Sequence, residues 1–375
     1  MFDALQRIIF CITDKCDLRC KYCLNEKSNR TISFNSAKQM IDVLMKSKKR
    51  IVEVNFSGGE PLMGHRIIKK IIEYANREAF KKKKIIKYLI ISNGTILNEE
   101  IISMIKKNNI DFIISVDGSK ESHDKNRIFR NGRGSYDLIK KNIEKMQDKG
   151  IKASISFVFN YNNDITRDLD ALLTLRPKNA YINLEIHSKH DSCEKKAYGR
   201  SKRDDISRKI ARWYVNFFEK NQELPPMPVL NQWLKAQYDY EKYGISTKKK
   251  ICISGAGRSI CVDEKSRIYP CTLYKARNEL LIGNANKIDE KRYEMLRVAL
   301  TAYSADVNFK KCLECRANKV CNKLMCPIIN TFAVGEASPN TTSFCEYALF
   351  FFDTTTRIWR KLKKRKNFLK LIKNC

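Results

Sequence analysis

The sequence predicts an α/β fold: a partial (β/α)6 barrel of the TIM-like kind, followed by a small cysteine-rich domain and a C-terminal helix. Six short apolar runs alternate with segments of helical length over residues 1–200, at the spacing that parallel βαβ repeats require. Eight of the 14 cysteines then fall within residues 251–347, which indicates a region built around bound metal. In such a barrel, functional residues are expected at the C-terminal ends of the strands.

The predicted strands are short and rich in β-branched and aromatic residues. They cover Ile8–Thr13, Val52–Ser57, Tyr88–Ser92, Phe112–Val116, Ala153–Phe159 and Tyr181–Glu185. Segments with apolar residues at helical spacing lie between them. They predict helices over Ser36–Lys46, His65–Tyr74, Glu99–Lys107, Tyr136–Lys149 and Asp168–Leu175. This alternation defines the barrel core.

Length and composition limit the class of protein. A chain of 375 residues can form two domains, each with a sizeable core. No stretch approaches the ~20 apolar residues of a membrane span, and no charged leader precedes a long apolar region, so we expect a cytoplasmic protein. The net charge of +32 is typical of proteins with acidic partners such as nucleic acid, membrane or peptide, although a genome's base composition can also produce a Lys- and Ile-rich chain.

Three cysteines follow the first predicted strand, in the segment Cys16-Asp17-Leu18-Arg19-Cys20-Lys21-Tyr22-Cys23. Three sulfurs can hold three irons of a [4Fe–4S] cluster and leave the fourth iron open to a substrate. A tetrahedral zinc site needs a fourth ligand, and the nearest histidine, His65, is 42 residues beyond Cys23. Since a distant residue could still supply that ligand, both metals stay open on these residues alone.

The CxxxCx(aromatic)C spacing of Cys16, Cys20 and Cys23 resembles the signature of the radical S-adenosylmethionine (SAM) enzymes. The resemblance implies a [4Fe–4S] cluster whose open iron takes the amino and carboxylate groups of SAM. It also implies that an electron from the cluster, supplied by an external donor, cleaves SAM to methionine and a 5′-deoxyadenosyl radical that abstracts a substrate hydrogen. The protein then places the cofactor, tunes it and excludes water.

Glycine-rich and polar segments follow the next strands. Ser57-Gly58-Gly59-Glu60-Pro61 resembles the GGE motif of the same family, which implies that Gly58, Gly59 and Glu60 contact the methionine ammonium group of SAM. Taken alone, Gly-Gly-Glu is a common turn. The third strand ends in Ser92-Asn93-Gly94-Thr95, which is similar to a segment of radical enzymes that modify peptides and proteins. By that resemblance Ser92 and Asn93 are SAM contacts.

The fourth strand ends in Ser115-Val116-Asp117-Gly118, followed by His123-Asp124-Lys125-Asn126-Arg127. These segments resemble further motifs of the same enzymes, which implies that Ser115 contacts SAM and that Arg127 contacts its carboxylate. Asn93-Gly94 and Asp117-Gly118 are also typical of ordinary turns, so the roles of Asp117 and His123 stay open.

Residues 201–250 are predicted to form a helical linker. A basic helix over Arg203–Lys220 leads into Pro225-Pro226-Met227-Pro228, which breaks a helix. Four aromatic residues follow, and their spacing favours one face of a packed helix, although aromatics beside basic residues can also stack on nucleic-acid bases. They are Trp233, Tyr238, Tyr240 and Tyr243.

The cysteine-rich segment, residues 251–347, holds enough cysteines for two complete [4Fe–4S] clusters. Ser266-Arg267-Ile268-Tyr269-Pro270-Cys271, with Ile282-Gly283-Asn284 after it, resembles the SPASM extension of peptide-maturing enzymes. Position by position, the resemblance assigns one auxiliary cluster to Cys252, Cys261, Cys271 and Cys326, and a second to Cys312, Cys315, Cys321 and Cys345. Ser266 stands where the family has Gly, and four residues rather than three separate Cys321 from Cys326. Zinc ribbons with the same CxxC spacing are the alternative.

Three cysteines and the tail remain. Cys11 is predicted to be a small buried residue, Cys375 to have no role, and Cys193, in the loop after the sixth strand, to be a candidate functional thiol. Residues 348–375 predict a basic amphipathic helix, because apolar residues recur at helical spacing among basic ones. Such a helix either closes the fold with its apolar face or lies on an anionic membrane or acidic peptide.

The combination favours maturation of a ribosomally made peptide, by a crosslink or an epimerisation for which Cys193 would donate a hydrogen atom. In the related anaerobic sulfatase-maturing enzymes, which make formylglycine, an Asp base follows the cysteine equivalent to Cys271 and a Phe-Tyr pair follows the first motif. Thr272 and Leu24-Asn25 stand in those places, so the proton would lack an acceptor. A nucleic-acid modifying enzyme is a weaker alternative. Only about seven residues precede the first strand, so a separate leader-binding protein or the basic surface would recognise the peptide.

Overall fold

The computed structural model describes most of the chain, in two compact units. The described residues are 2–23, 25, 28–160, 162–184, 200–246, 250–251, 257–272, 275, 278–305, 314–321, 324–325 and 342–375. The first unit comprises Met1–Ser115, Asp124–Ser154 and Ile251–Ala305. The second comprises Val116–His123, Ile155–Lys250 and Asp306–Cys375.

Strands and helices alternate through the first half of the chain. They are β1 (Arg7–Cys11), α1 (Phe34–Met45), β2 (Ile51–Ser57), α2 (His65–Lys81), β3 (Ile85–Ser92), α3 (Glu99–Lys107), β4 (Asp111–Ser115), α4 (Lys120–Asn126), α5 (Tyr136–Asp148), β5 (Ser154–Phe159), α6 (Ile165–Thr174) and β6 (Ala180–Leu184). All six predicted strands and all five predicted helices are present, so the α/β fold class is confirmed.

Short strands, four long helices and one short helix make up the second half of the described chain. They are α7 (Arg200–Asn221), α8 (Pro228–Tyr243), β7 (Lys250–Ile251), β8 (Ser259–Val262), β9 (Arg267–Tyr269), β10 (Gly283–Asn284), β11 (Lys287–Ile288), α9 (Glu290–Ala305), β12 (Leu324–Met325), α10 (Thr342–Leu362) and α11 (Lys366–Lys373), of which α11 is the shortest helix.

The differences from the prediction have local causes. Strand β3 begins three residues before the predicted Tyr88, because Ile85, Ile86 and the intervening Lys87 also pair with β2. Helix α2 continues past Tyr74 to Lys81, since its buried stripe extends through Ala75 and Ala79. Helix α4 was not predicted, because the segment KESHDKN is polar and has no apolar period.

A sheet in the order β11-β10-β9-β8-β1-β2-β3-β4 forms the centre of the first unit. Strands β1 to β4 are parallel, and β8 of the cysteine-rich segment adds to the other edge of β1, also parallel, with Cys261 opposite Ile9. The side chains of Phe10, Phe56 and Tyr88 stack across β1, β2 and β3 at ring separations of 6.3 Å each. This buried aromatic row aligns the three strands whose C-terminal ends carry the site.

In the second unit, β5 and β6 form a parallel pair, and α7, α8 and α10 bury aromatic faces. Trp233 on α8 stacks on Phe351 of α10 at 6.4 Å, and Tyr238 meets Trp359 edge to face at 6.3 Å. These two aromatics are buried, as the packed-helix interpretation predicts, whereas Tyr240 and Tyr243 are exposed.

The basic C-terminal tail uses its apolar face inside the second unit. The predicted helix is present, and a turn at residues 363–365 divides the tail into α10 and α11. Ile358, Leu362 and Ile372 are fully buried, and Phe368 of α11 packs against Phe218 at 5.3 Å between ring centroids. No helix among the described residues is long and apolar enough to cross a membrane.

We expect Phe368→Ala to destabilise the second unit by about 3–5 kcal/mol, because it removes a fully buried ring between Phe218 and Trp359. Urea unfolding followed by tryptophan fluorescence measures this, since all three tryptophans lie in the second unit. Lys370→Ala, on an exposed position of the same helix, is the control and should change stability by less than about 0.5 kcal/mol. Equal effects of the two substitutions would show that α11 does not pack as described.

Candidate active site

The loop that follows β1 carries Cys16, Cys20 and Cys23. Cys16 is buried, whereas Cys20 and Cys23 are partly exposed. Two backbone hydrogen bonds fix this loop, from Arg19 N to Ile128 O at 2.8 Å and from Lys21 N to Asn126 O at 3.0 Å. Because both bonds are made to one short segment at the end of α4, the loop is held at its middle rather than only at its ends.

Two of these sulfurs accept hydrogen bonds from side chains. The Asn93 amide nitrogen lies 3.8 Å from Cys16 Sγ, and an Arg127 terminal nitrogen lies 4.0 Å from Cys20 Sγ. The Arg127 guanidinium also lies 5.3 Å from the centre of the Tyr22 ring. Donors of this kind stabilise thiolates and tune cluster potentials. The donor set therefore fits a [4Fe–4S] cluster.

Among the residues that the structure describes, no three ligating side chains converge tightly enough to hold one metal ion. In a four-iron cluster each cysteine sulfur binds a different iron, so the cysteine ligands need not meet at a single ion. The role of Cys16, Cys20 and Cys23 as cluster ligands stays a prediction.

Gly58 and Gly59 let the end of β2 touch the backbone of the cysteine loop. A Cβ on Gly58 would lie 2.5 Å from Thr13 O, and a Cβ on Gly59 would lie 2.3 Å from Lys15 O. The Gly59 amide donates to Thr13 O at 2.7 Å, and the next amide donates to Lys15 O at 2.7 Å. No side chain fits at this approach, which explains physically why two glycines stand here.

The carboxylate of Glu60 is fully buried and joins the ends of β2 and β3. One oxygen accepts hydrogen bonds from Leu62 N at 3.0 Å and Ser92 Oγ at 2.8 Å, and the other accepts from Asn93 N at 2.6 Å. Burial outweighs these bonds and raises the pKa of Glu60 to about 7. The motif alone does not reveal this structural role; a contact between Glu60 and the SAM ammonium stays a prediction.

Asp17 extends this network to the cysteine loop. Its carboxylate accepts hydrogen bonds from Asn93 Nδ2 at 2.8 Å and Thr95 Oγ1 at 2.6 Å. Asn93 thus contacts both Cys16 and Asp17, its neighbour in the chain, and so positions the first predicted cluster ligand. Sequence reasoning missed Asp17, because a carboxylate between two cysteines in a loop is typical of a solvent-exposed residue.

The remaining predicted contacts divide between the two units. Ser115 is the last residue of β4 in the first unit, and its side chain is partly exposed. In the second unit Asp117 and His123 are buried: the Asp117 amide donates to His123 Nδ1 at 3.1 Å, and Val158 N donates to the Asp117 carboxylate at 3.2 Å. These bonds hold the loop after β4.

The predicted auxiliary ligands are only partly described. Cys271 is partly exposed in the first unit, and Cys315 and Cys321 are partly exposed in the second. Cys261 is buried in β8 with its sulfur 3.6 Å from that of Cys11, and this contact, together with burial, raises the pKa of Cys261 well above its usual value. Four predicted site residues lie outside the described residues: Cys193, Cys252, Cys312 and Cys326. Cys345 lies in α10, but its side chain is outside the described part of the structure.

An ion-pair cluster that the sequence did not predict lies beside the cysteine loop. Lys275 Nζ is 2.6 Å from an Asp14 carboxylate oxygen and 2.7 Å from a Glu264 oxygen, and all three side chains are at least four-fifths buried. Burial opposes the charge of Lys275, but the Cys11 sulfur and the two carboxylates raise the pKa of Lys275 overall. Asp14 precedes Cys16 by two residues, so these ion pairs link the cysteine-rich segment to the loop of the predicted iron–sulfur site.

The chain matches the radical SAM superfamily over residues 10–175. An uncharacterized protein of Methanocaldococcus jannaschii is 38% identical over 136 residues, 36% of this chain and 46% of that protein, so the chain spans under half of this relative. The cysteine-type anaerobic sulfatase-maturating enzyme of Clostridium novyi is 25% identical over 377 residues, 93% of this chain and 95% of the enzyme.

Two solved structures share the fold. Native anSMEcpe with bound AdoMet superposes with a TM-score of 0.78 at 16% identity, covering 99% of each chain. Streptococcus suis SuiB bound to the precursor peptide SuiA gives a TM-score of 0.60 at 16% identity, covering 91% of this chain and 76% of SuiB. The architecture is therefore the partial TIM barrel of radical SAM proteins, with a helical and cysteine-rich C-terminal region.

We expect Lys275→Met to destabilise the first unit by about 3–5 kcal/mol, because it leaves the buried carboxylates of Asp14 and Glu264 without their cation. Urea unfolding of the metal-free protein followed by far-UV circular dichroism measures this. Adding Glu264→Gln should recover part of the loss, since it removes one of the unpaired charges. Lys265→Met, at an exposed lysine of the same segment, is the control. A Lys275→Met protein as stable as the control would contradict the ion-pair cluster.

Glu60 predicts a pH dependence of stability. The folded protein holds the Glu60 proton up to about pH 7, whereas the unfolded chain releases it near 4.5, so this group's contribution to stability falls as pH rises between these values and is constant above them. We therefore expect the unfolding free energy of wild type minus that of Glu60→Gln to decrease from about pH 5 to about pH 7 and then level off. Glu73→Gln removes an exposed carboxylate of α2 and is the matched control for the loss of a carboxylate. If the difference in unfolding free energy between wild type and Glu60→Gln did not change with pH, that result would contradict the raised pKa of Glu60.

Proposed function

Residues 10–175 belong to the radical SAM superfamily, and from this premise we propose that the protein is a radical SAM maturase that removes a hydrogen atom from a ribosomally made peptide to install a crosslink or epimerise a residue. Membership implies a [4Fe–4S] cluster and SAM, which when bound supply the radical that takes the hydrogen. Cys16, Cys20 and Cys23 would hold the cluster. The chain's own contribution is to position the cofactor, supply hydrogen bonds to its sulfurs and exclude water.

The described residues are arranged for this task. Asn93 and Arg127 donate to two of the sulfurs, while Gly58 and Gly59 bring the backbone of β2 against the cysteine loop. Ser92 is already bonded to Glu60, so its predicted contact with SAM would use its remaining hydrogen-bonding capacity. Ser115 at the end of β4 would add a further polar contact.

The observation that carries the peptide proposal is the extent of the similarity. It continues beyond the radical SAM domain through the cysteine-rich segment, over 93% of the chain for the Clostridium novyi sulfatase-maturating enzyme and 91% for SuiB, which was solved with a precursor peptide. The names of both relatives concern protein or peptide substrates. A substrate of the same class is the simplest extension to this chain.

We also propose that the cysteine-rich segment holds two auxiliary [4Fe–4S] clusters. Their ligands would be Cys252, Cys261, Cys271 and Cys326 for one and Cys312, Cys315, Cys321 and Cys345 for the other. Among these assignments, that of Cys261 as a ligand has the least structural support, because its buried sulfur lies against the sulfur of Cys11 in the sheet. A crosslink would release a second electron, and an auxiliary cluster would accept it. An epimerisation would instead need a hydrogen donor, for which Cys193 is the candidate.

Formylglycine formation on a sulfatase is the second candidate, favoured by the full-length match to the Clostridium novyi enzyme. Thr272 follows Cys271, so the position next to that cysteine supplies no carboxylate base. Glu264, the described carboxylate closest in sequence to Cys271, is held by Lys275, and so is Asp14, which lies two residues before Cys16. The absence of a base at this position is the reason for preferring a crosslink or an epimerisation.

Protein purified and reconstituted without oxygen tests the proposal. We expect about twelve irons per chain, as three four-iron clusters require, and 5′-deoxyadenosine from SAM under a strong reductant. Cys16→Ala should lose about four irons and all cleavage, whereas Cys271→Ala should lose iron but retain a competent first cluster. Zinc in place of iron, or no 5′-deoxyadenosine from the fully loaded wild type, would refute a radical enzyme.

Mass spectrometry of a candidate precursor peptide after incubation with the enzyme distinguishes the outcomes. A crosslink removes two hydrogen atoms from the peptide. An epimerisation leaves the mass unchanged in water and adds one deuterium in heavy water. Formylglycine formation from cysteine replaces sulfur by oxygen and removes two hydrogen atoms, and that mass change would favour the second candidate. A separate leader-binding protein and an external electron donor would be added in turn, because the proposal includes both as partners.

A further inference from the structure

Two lysine-rich turns lie side by side where β2 and β3 begin, at the end of the first unit's sheet opposite to the predicted cluster site. One turn, residues 46–51, leads from α1 into β2, and the other, residues 80–85, leads from α2 into β3. We call these two turns the basic edge. They carry eight basic residues: Lys46, Lys48, Lys49, Arg50, Lys81, Lys82, Lys83 and Lys84.

Hydrogen bonds join the two turns into one surface. The ammonium group of Lys84 donates to the backbone oxygen of Lys49 at 2.8 Å and also to that of Ser47. Ile51 and Ile85 lie opposite each other in the first pair of the β2–β3 ladder. Lys84 therefore fixes the two turns to each other, while the other seven basic residues of the basic edge are exposed.

Most of this positive charge has no counterpart within the protein. Asp3 pairs with Lys48 at 2.6 Å, and Glu78 pairs with Lys81 at 3.0 Å. Five of the other basic residues form no ion pair with any residue that the structure describes: Lys46, Lys49, Arg50, Lys82 and Lys83. The basic edge therefore presents positive charge that an anionic partner can neutralise.

Three apolar side chains are exposed among these cations. Phe80 is 88% exposed, Ile85 48% and Ile51 42%. Scattered exposed apolar residues are ordinary, whereas a group of them within one charged surface is typical of a binding surface. A Lys- and Ile-rich composition raises the number of such residues everywhere in the chain, but it does not explain an aromatic ring left in water between two runs of lysine.

We propose that the basic edge binds the surface of an anionic membrane. Its lysines attract anionic lipid headgroups, and the side chains of Phe80, Ile51 and Ile85 enter the boundary between headgroups and acyl chains. A nucleic acid would meet the same lysines, and a base could stack on Phe80, but it would leave both isoleucines in water. The contact is peripheral, and it does not depend on the proposed function.

The position of the basic edge leaves the predicted cluster site accessible. Strand β2 begins at this edge and is followed by Gly58 at its other end, and its seven residues span roughly 20 Å. A bound membrane would thus lie about that far from the cysteine loop. The apolar face of the basic tail cannot make the same contact, since Ile358, Leu362 and Ile372 are buried within the second unit.

Co-sedimentation of the full chain with lipid vesicles tests the proposal. One set of vesicles contains phosphatidylglycerol and phosphatidylcholine in equal parts, and the other contains phosphatidylcholine alone. We expect binding to the anionic vesicles that weakens as salt is added, and much weaker binding to the neutral vesicles. Binding to neither set, or equal binding to both, would overturn the proposal.

The double substitution Lys82→Gln/Lys83→Gln should weaken binding to the anionic vesicles by about tenfold or more, because each lysine near an anionic surface changes the affinity by about fivefold. Lys140→Gln/Lys141→Gln makes the same change of charge at exposed positions of α5, outside the basic edge, and is the control. Far-UV circular dichroism checks that both variants fold. Equal effects of the two variants would show that the overall charge of the chain binds the vesicles, and would contradict the site.

Phe80→Ser should weaken vesicle binding by about tenfold and leave its salt dependence unchanged, because the substitution removes apolar contact rather than charge. Leu138→Ser, at a side chain of α5 that is 40% exposed, is the control and should bind as wild type does. Phe80→Trp reports insertion directly. Brominated lipid should quench its added fluorescence more strongly than that of the three native tryptophans, which are buried. Equal quenching in wild type and Phe80→Trp would contradict insertion.

Poly-uridine and poly-glutamate distinguish a membrane from other anionic partners. We expect Phe80→Ser to weaken binding of vesicles and to leave binding of both polymers as in wild type. If the substitution weakened binding of one polymer but not of the vesicles, the basic edge would belong to a nucleic acid or to an acidic protein instead. Because these measurements need neither SAM nor turnover, their failure leaves the peptide maturase proposal intact.

Discussion

The buried carboxylate of Glu60 is the interaction on which the site depends. Parallel strands place their C-terminal ends side by side, but the backbone amides that follow the last ladder bond need acceptors. Glu60, directly after β2, accepts from the amide of Asn93 directly after β3, and the same carboxylate fixes Ser92. Asn93 then reaches Cys16 and Asp17. One desolvated carboxylate therefore connects two strand ends to the loop that would hold the cluster.

The sequence predicted the alternating strands and helices well, because their signals are local. Apolar runs specify β1 to β6, and in β3 Lys87 interrupts the run but pairs with Glu53, so the strand continues back to Ile85. Long-range contacts gave no such signal. Lys275 and Asp14 are 261 residues apart in the chain. In a chain so rich in lysine, nothing in the sequence indicates that Lys275 is buried. Likewise, four residues of β8 are too short a run to predict a strand parallel to β1.

Motifs predicted which residues gather at the site but not all that they do there. Gly58 and Gly59 were expected to allow close approach, and they do so against the backbone of Thr13 and Lys15. The contact of Glu60 with the cofactor stays a prediction, and the motif did not predict that its carboxylate also bonds the Asn93 amide, because only the adjacency of β2 and β3 brings that amide to it. The spacing of residues along the chain indicates which chemistry they can perform. Their hydrogen-bond partners on neighbouring strands can be identified only once the fold is known.

Strands β8 to β11 of the cysteine-rich segment are part of the first unit's sheet, and an ion pair adds to this link at the start of the cysteine loop. Strand β8 pairs with β1, and Lys275, four residues beyond Cys271, bonds Asp14, two residues before Cys16. Lys275 also pairs with Glu264, so the two carboxylates offset its charge and the group adds no net positive charge beside the predicted cluster. The contribution of Lys275 to the predicted site is therefore positional, because it holds the cysteine-rich segment in register with the loop that carries Cys16.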